Sequence, residues 1–295
     1  MNAIQESANG RVHIPNIDPF RLSDSKKLSR SSNSKFLVDC GIRAVYLILY
    51  IFFPIYAFSS TLDQTRFKLY CMHTPKFKTL YEQYFLPSIK DDFEVVAREY
   101  EQECPSGIYK SVGWKQTMLR KLELLREAVE EHWNDRLFFY SDVDIIFLQP
   151  ILEIALNCLG DRDFVVQQGW PRNLLCAGFF VMRSNEKTLK LIEIAMDLLE
   201  KGNCPDDQAA IQTALHQFKQ GEIAWGFLPS LQFPNGRRVL KKTRRGNRDL
   251  YSLDSEIILD DSIVLFHANC CIGLENKYHF LDRVQEQYFK LKERI

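Results

Sequence analysis

Residues 137–150, LFFYSDVDIIFLQP, place two aspartates one residue apart inside an otherwise apolar run. Strand-like sequence of this kind is normally buried. A buried, unpaired carboxylate costs roughly several kcal/mol or takes up a proton. Asp142 and Asp144 therefore fit best where a strand, 137–141, runs out at a cleft. Alternate residues of an extended segment point the same way, so the two carboxylates are expected to converge on one point. A solvated turn holding two acids is the alternative, and the apolar residues on both sides weigh against it.

A strand end of this kind needs a sheet, and the pattern from residue 63 onward predicts one. RFKLYCM (66–72) reads as a strand and FKTLYEQYFLPSI as a helix that stops near Pro87. DFEVVAREY (92–100) is the next strand, and WKQTMLRKLELLREAVEEHW (114–133) an amphipathic helix with Met118, Leu122, Leu125 and Val129 on one face. DFVVQQ and AGFFVMR follow as strands. EKTLKLIEIAMDLLEKG (186–202) and DDQAAIQTALHQF (206–218) follow as helices, the second capped by Asp206. IAWGFLPS and SIVLFHANC complete the strands. The alternation predicts an α/β fold, a mostly parallel central sheet covered by helices, as one domain over 63–295.

The chain of 295 residues is 46% hydrophobic, enough to bury a sizeable core. Its 38 basic and 38 acidic side chains cancel, which excludes a global field that recruits nucleic acid. The eight cysteines show no CxxC pair and no zinc-type spacing. Residues 1–43 are polar and serine-rich and read as a disordered cytosolic tail. AVYLILYIFFPIYAFSSTL, residues 44–62, carries no charge and as a helix spans about 28 Å, close to a bilayer core. Lys26, Lys27, Arg30, Lys35 and Arg43 precede it, which predicts a type II anchor with the domain outside the cytosol. Pro54 and the tyrosines leave a core helix as the alternative.

Two hard anionic ligands at the Asp142–Asp144 spacing suit Mg²⁺ or Mn²⁺ carrying a diphosphate. IVLFHANCCIGLENK ends another apolar strand in His267, a possible third metal ligand that favours Mn²⁺. Gly273 allows close approach of backbone to phosphate, and Lys277 offers a point charge. RRVLKKTRRGNR (237–248) is read as a solvated loop, with a flap over the diphosphate as second choice. GWPRN (169–173) is either a structural turn or an exposed aromatic platform.

In order, the DxD of 142–144, CAGFF (176–180), DDQ (206–208), LPSLQFPNG (228–236) and HANxxxGxxxK (267–277) resemble the nucleotide-diphospho-sugar transferase family of retaining GT-A glycosyltransferases. Plant arabinosyl- and xylosyltransferases belong to that group. The resemblance covers about residues 66–285 and implies a GT-A (Rossmann-like) domain behind a membrane anchor, facing the Golgi or ER lumen if the cell is eukaryotic. It implies a nucleotide-sugar donor, with UDP the expected nucleotide, a glycan or glycoprotein acceptor, and retention of anomeric configuration.

Carried over by position, the resemblance makes Asp142, Asp144 and His267 the metal ligands, with Asp142 also near the donor ribose. Gly273 and Lys277 grip the diphosphate. His73 and Thr74 contact the base, and Lys121 is a further donor-site residue. Asp206, Asp207 and Gln208 are the catalytic candidates near the anomeric carbon. Cys176 stands where the family often has Asn, and Cys270 where it often has Trp. Two other readings stay open: a silent glycan- or nucleotide-binding homologue, and a metal-dependent phosphohydrolase or nucleotidyltransferase.

Overall fold

A computed structural model of the chain describes residues 66–294 with the exception of 135, 246, 247, 251 and 270. The expected tail (1–43) and anchor (44–62) lie outside the described residues. Among those described, no helix is long and apolar enough to cross a membrane. One compact unit runs from Asp63 to Ile295.

In chain order the unit holds β1 (Lys68–His73), β2 (Glu94–Glu99), α1 (Trp114–Glu131), β3 (Leu137–Ser141) and β4 (Ile145–Phe147). Next come α2 (Leu152–Leu159), β5 (Phe164–Gln168), β6 (Leu175–Arg183), α3 (Glu186–Glu200), α4 (Asp207–Leu215) and β7 (Trp225–Phe227). It ends with β8 (Thr243–Arg245), β9 (Arg248–Leu250), β10 (Leu265–His267) and α5 (Leu274–Lys292). Between β1 and β2 a composite helix passes from a 3₁₀ turn at Pro75–Phe77 to a π turn at Tyr81–Phe85 and ends at Leu86–Ser88. Pro87 falls in that last turn; lacking an N–H, it cannot make the regular i→i−4 bond.

The main sheet has the order β2-β1-β3-β6-β5-β7. The pairs β1–β2, β1–β3 and β5–β7 are parallel, and β6 runs antiparallel to both its neighbours. The strand read in SIVLFHANC is not part of this sheet. As β10 it pairs antiparallel with β4 in a separate two-stranded ribbon, because the chain turns out of the main sheet at Asp142–Asp144. The basic run expected as a loop instead contains a 3₁₀ turn (Gly236–Arg238) and the β8–β9 hairpin.

Side chains of β3 alternate between the two faces, as a pleated strand requires. Phe138 and Tyr140 pack with Leu122, Leu125 and Val129 of α1 and Leu191 of α3. Phe139 enters the opposite core with Ala155 and Leu159 of α2, Phe266 of β10 and Phe280 of α5. Burial of one such ring is worth about 1.5–3 kcal/mol. With both faces of β3 covered, the position of its C-terminal end is fixed.

Candidate active site

Ser141 ends β3, and the next three residues form a turn rather than continuing extended. The two carboxylates converge because the turn is pinned at both ends, not through strand alternation. The Asp142 amide donates to Gly178 O (2.7 Å), and Asp144 O accepts from the Ala268 amide (2.9 Å). The second bond, with the β4–β10 register that pairs His267 with Ile145, carries the end of β10 to the DxD turn.

His267 is buried, its ring packed against Gly178, where an added Cβ would stand 2.1 Å from His267 Cε1. Only glycine leaves room for the imidazole there. His267 Nδ1 lies 2.9 Å from Gln167 Oε1. Both amide hydrogens of Gln167 are committed, to Phe233 O (3.1 Å) and Pro234 O (3.0 Å). The Gln167 oxygen therefore accepts from Nδ1–H, and Nε2 is turned toward Asp144 Oδ1, 3.2 Å away. One ligand atom each from Asp142, Asp144 and His267 lies within 4.8 Å of the others. Two carboxylates and an imidazole with its far nitrogen already anchored fit a divalent cation such as Mn²⁺ or Mg²⁺.

Two lysines balance the acids. Lys121 is buried on α1, 2.9 Å from both Asp142 Oδ1 and Asp207 Oδ2, with its ammonium 4.8 Å from the centroid of the Tyr140 ring. The Tyr140 hydroxyl donates to the same Asp142 oxygen (2.9 Å). Lys277, in the first turn of α5, donates to Asp144 Oδ2 (2.5 Å) and to Ala268 O (3.0 Å). Burial raises the Asp142 pKa, Lys121 opposes it, and the net direction is upward. Burial would raise Asp144 too, but Lys277 and His267 outweigh it and hold that carboxyl far below its usual range. Burial disfavours the His267 imidazolium, yet Asp144 prevails and raises its pKa to about 10.

Asp142, Asp144, His267, Lys121, Tyr140 and Lys277 line one cleft of about 550 Å³. It also receives every other residue singled out in the sequence: His73, Thr74, Asp206, Asp207, Gln208 and Gly273. His73 ends β1 stacked on Tyr81, ring centroids 4.5 Å apart. His73 Nδ1 and Thr74 Oγ1 are buried without a hydrogen-bond partner, which a ligand in the cleft can supply. Gly273 precedes α5 at φ +90°, with no side chain capping the helix, so first-turn amides stay open to an anion. Asp206 is engaged as the cap of α4. Its Oδ1 accepts from the Ala209 amide (2.8 Å) and its Oδ2 from the Tyr109 hydroxyl (2.7 Å), while Asp207 is held by Lys121 and lines the cleft beside Gln208.

Sequence reasoning missed Gln167, Tyr140, Asn235 and Asn269. Gln167 carried only the weak signal of a polar residue ending an apolar strand. Asn269 sits within the noticed HAN triplet and accepts from the Gly236 amide (3.0 Å), tying the LPSLQFPNG segment to the end of β10.

The chain is 27% identical over 194 residues to a UDP-galactose:fucoside alpha-3-galactosyltransferase of Dictyostelium discoideum, covering 57% of this chain and 27% of that protein. It is 23% identical over 203 residues to an uncharacterized Arabidopsis thaliana protein, covering 65% of this chain and 55% of that one. It thus spans about a quarter and about half of these curated relatives. Similar solved structures include a glycosyltransferase involved in the glycosylation of the major capsid of PBCV-1 (TM-score 0.49, 11% identity, 73% of this chain and 98% of that one). Another is an active-site mutant of LgtC (TM-score 0.43, 12% identity, 74% of this chain and 95% of that one). The family model described as nucleotide-diphospho-sugar transferase matches residues 106–281, a span that contains the DxD turn, the DDQ helix start, His267 and Lys277. The chain belongs to the nucleotide-diphospho-sugar transferase family.

Proposed function

We propose that this chain moves a sugar from a nucleoside-diphosphate donor, with UDP as the nucleotide, to a glycan or glycoprotein acceptor, retaining anomeric configuration. The observation that carries the reading is the convergence of Asp142, Asp144 and His267 within 4.8 Å, in the same cleft as Lys277. The name of the Dictyostelium relative supports UDP as the nucleotide.

A divalent cation held by Asp142, Asp144 and His267, Mn²⁺ above all, supplies charge neutralisation for the departing diphosphate. Lys277 exchanges its contact with Asp144 for a phosphate oxygen, assisted by the open amides at Gly273 and the start of α5. His73 and Thr74 offer their unpartnered atoms to the base. At the other side of the metal ligands, Lys121 ties Asp142 to Asp207 through two 2.9 Å contacts, so the nucleotide-binding and sugar-facing carboxylates keep a fixed spacing. Asp207 and Gln208 face the sugar, where a carboxylate or an oriented amide stabilises positive charge growing at the anomeric carbon.

The test is incubation of the full-length protein with Mn²⁺ and a panel of UDP-sugars, without acceptor. One donor is expected to yield UDP and free sugar, and EDTA to stop it. If UDP binds yet no donor is cleaved, the silent-homologue reading prevails; release of a nucleoside monophosphate favours a phosphohydrolase. Residues 44–62 are proposed as the membrane anchor on their uncharged length. Full-length protein is expected to stay in the membrane pellet on carbonate extraction, and its release would contradict the anchor.

A further inference from the structure

Two contacts tie α1 and the loop before it to the start of α4. Lys121 reaches Asp207 Oδ2 (2.9 Å), and the Tyr109 hydroxyl reaches Asp206 Oδ2 (2.7 Å). Between these ties α1 turns one face to the cleft. Trp114, Thr117, Met118 and Lys121 follow at i, i+3, i+4 and i+7, and all four line it. From Trp114 to Lys121 the helix rises about 10 Å. Lys121, beside Asp142, is the inner end of this wall. Trp114 is the outer end, its ring edge-to-face with Tyr109, centroids 5.5 Å apart and planes at 81°. Gly113, the N-cap of α1, has φ +83°, and an added Cβ there would stand 1.7 Å from Glu103 O. Only glycine lets the chain pass this close to Glu103 as it enters the helix.

Most polar groups along the wall are engaged within the protein. Thr117 Oγ1 donates to Gly113 O (3.2 Å), Lys121 holds Asp142 and Asp207, and the Tyr109 hydroxyl holds Asp206. Trp114 Nε1 is the exception. It is buried and has no hydrogen-bond partner among the described residues. An indole N–H can only donate. Left unpaired, such a donor costs the free energy of its lost hydration, which an acceptor arriving with the ligand restores. A sugar hydroxyl oxygen is such an acceptor, and Met118, one turn along, offers apolar surface to the C–H groups of a sugar ring. The unpartnered atoms proposed to meet the base, His73 Nδ1 and Thr74 Oγ1, lie at the end of β1. Trp114 lies instead between the Lys121–Asp207 and Tyr109–Asp206 contacts, at the carboxylates that the proposed reaction gives to the sugar.

We propose that Trp114 is a specificity-determining residue for the donor, its indole N–H donating to a hydroxyl of the transferred sugar in the pocket that α1 closes against the start of α4. The sugar extends from Lys121 outward along the α1 face, so the hydroxyl recognised is one remote from the anomeric carbon. This rests on the nucleotide-sugar transferase reading and names the residue that selects the sugar within it.

The test follows acceptor-free cleavage of a panel of UDP-sugars by full-length protein with Mn²⁺. The donor cleaved best is then compared with its monodeoxy analogues, one lacking each sugar hydroxyl. One analogue is expected to show kcat/KM lowered about tenfold or more, because it leaves the indole N–H unpaired. Trp114→Phe keeps an aromatic ring without the N–H. It is expected to lower kcat/KM for the parent donor by about the same factor, to leave that one analogue's rate unchanged, and to hold UDP as tightly as the native protein. The other analogues are expected to lose in the variant as the parent does. This non-additivity separates a lost hydrogen bond from the looser fit of a smaller ring. If Trp114→Phe cleaves the parent donor as well as the native protein, or loses the same factor with every analogue, the assignment alone is overturned. Weakened UDP binding in the variant places the indole on the nucleotide and overturns it too. Protein that binds UDP but cleaves no UDP-sugar overturns the transferase reading, and the assignment falls with it.

Discussion

Asp144→Asn and His267→Ala are each expected to abolish Mn²⁺-dependent UDP binding, a loss on the order of a hundredfold or more, with circular dichroism showing a folded protein of lowered melting temperature, because each change also breaks the buried Asp144–His267 pair. Each change removes one of three converging ligand atoms, and none of the three belongs to the aromatic core around β3. The same site predicts a pH dependence. The metal-free His267 has its pKa raised to about 10, so at neutral pH its Nε2 holds a proton that the cation must displace. Mn²⁺ affinity is therefore expected to rise with pH above neutrality and level off near pH 10, with proton uptake by buffer on binding. His267→Ala should lose that slope together with the affinity. Retained metal-dependent UDP binding in either variant would remove that residue from the centre.

Lys277→Ala and Asp207→Asn are expected to separate the two ends of the reaction. A charge-assisted contact to phosphate is worth about 1.5–3 kcal/mol, roughly ten- to over a hundredfold. Charge on that oxygen grows as the bond breaks, so Lys277→Ala should weaken UDP and UDP-sugar and also slow turnover, leaving acceptor KM nearly unchanged. Asp207→Asn should leave UDP affinity intact and cut transfer by about a hundredfold or more, since Asp207 is paired with Lys121 and is proposed to face the sugar rather than the diphosphate. Titration calorimetry with UDP and steady-state rates on the same protein check both halves. If Lys277→Ala binds UDP as tightly as the unmodified protein, the diphosphate does not lie beside residues 267–277.

The centre of the site was legible because its residues break a pattern. Asp142 and Asp144 interrupt an apolar run, and His267 ends one, so burial arguments alone single them out. The amphipathic helices α1, α3 and α4 were legible for the opposite reason, their apolar residues recurring at helical spacing. Less legible was anything that depends on the chain leaving the main sheet. The DxD turn and the β4–β10 ribbon follow from backbone bonds between Asp144 and Ala268 and between Asp142 and Gly178, and no local pattern announces partners so distant along the chain. α5 went unread because Phe280, Leu281 and Val284 are its only fully buried residues among charged neighbours, a short stripe beside three clear ones. Gln167 and Gln168 look alike in sequence; only the carbonyls of Phe233 and Pro234 reveal that the first holds His267. Arg237 and Arg238 were hidden in a basic run whose bulk suggested solvent, although the first lines the cleft and the second ties two of its segments together.

The most direct test is diffraction from crystals grown with Mn²⁺ and UDP, collected on both sides of the manganese absorption edge. The anomalous difference map should show one peak within coordination distance of the carboxylates of Asp142 and Asp144 and Nε2 of His267. The diphosphate should lie on its other side, next to Lys277 and the start of α5. A manganese peak elsewhere in the cleft, or UDP bound with no peak at these three residues, would contradict the account.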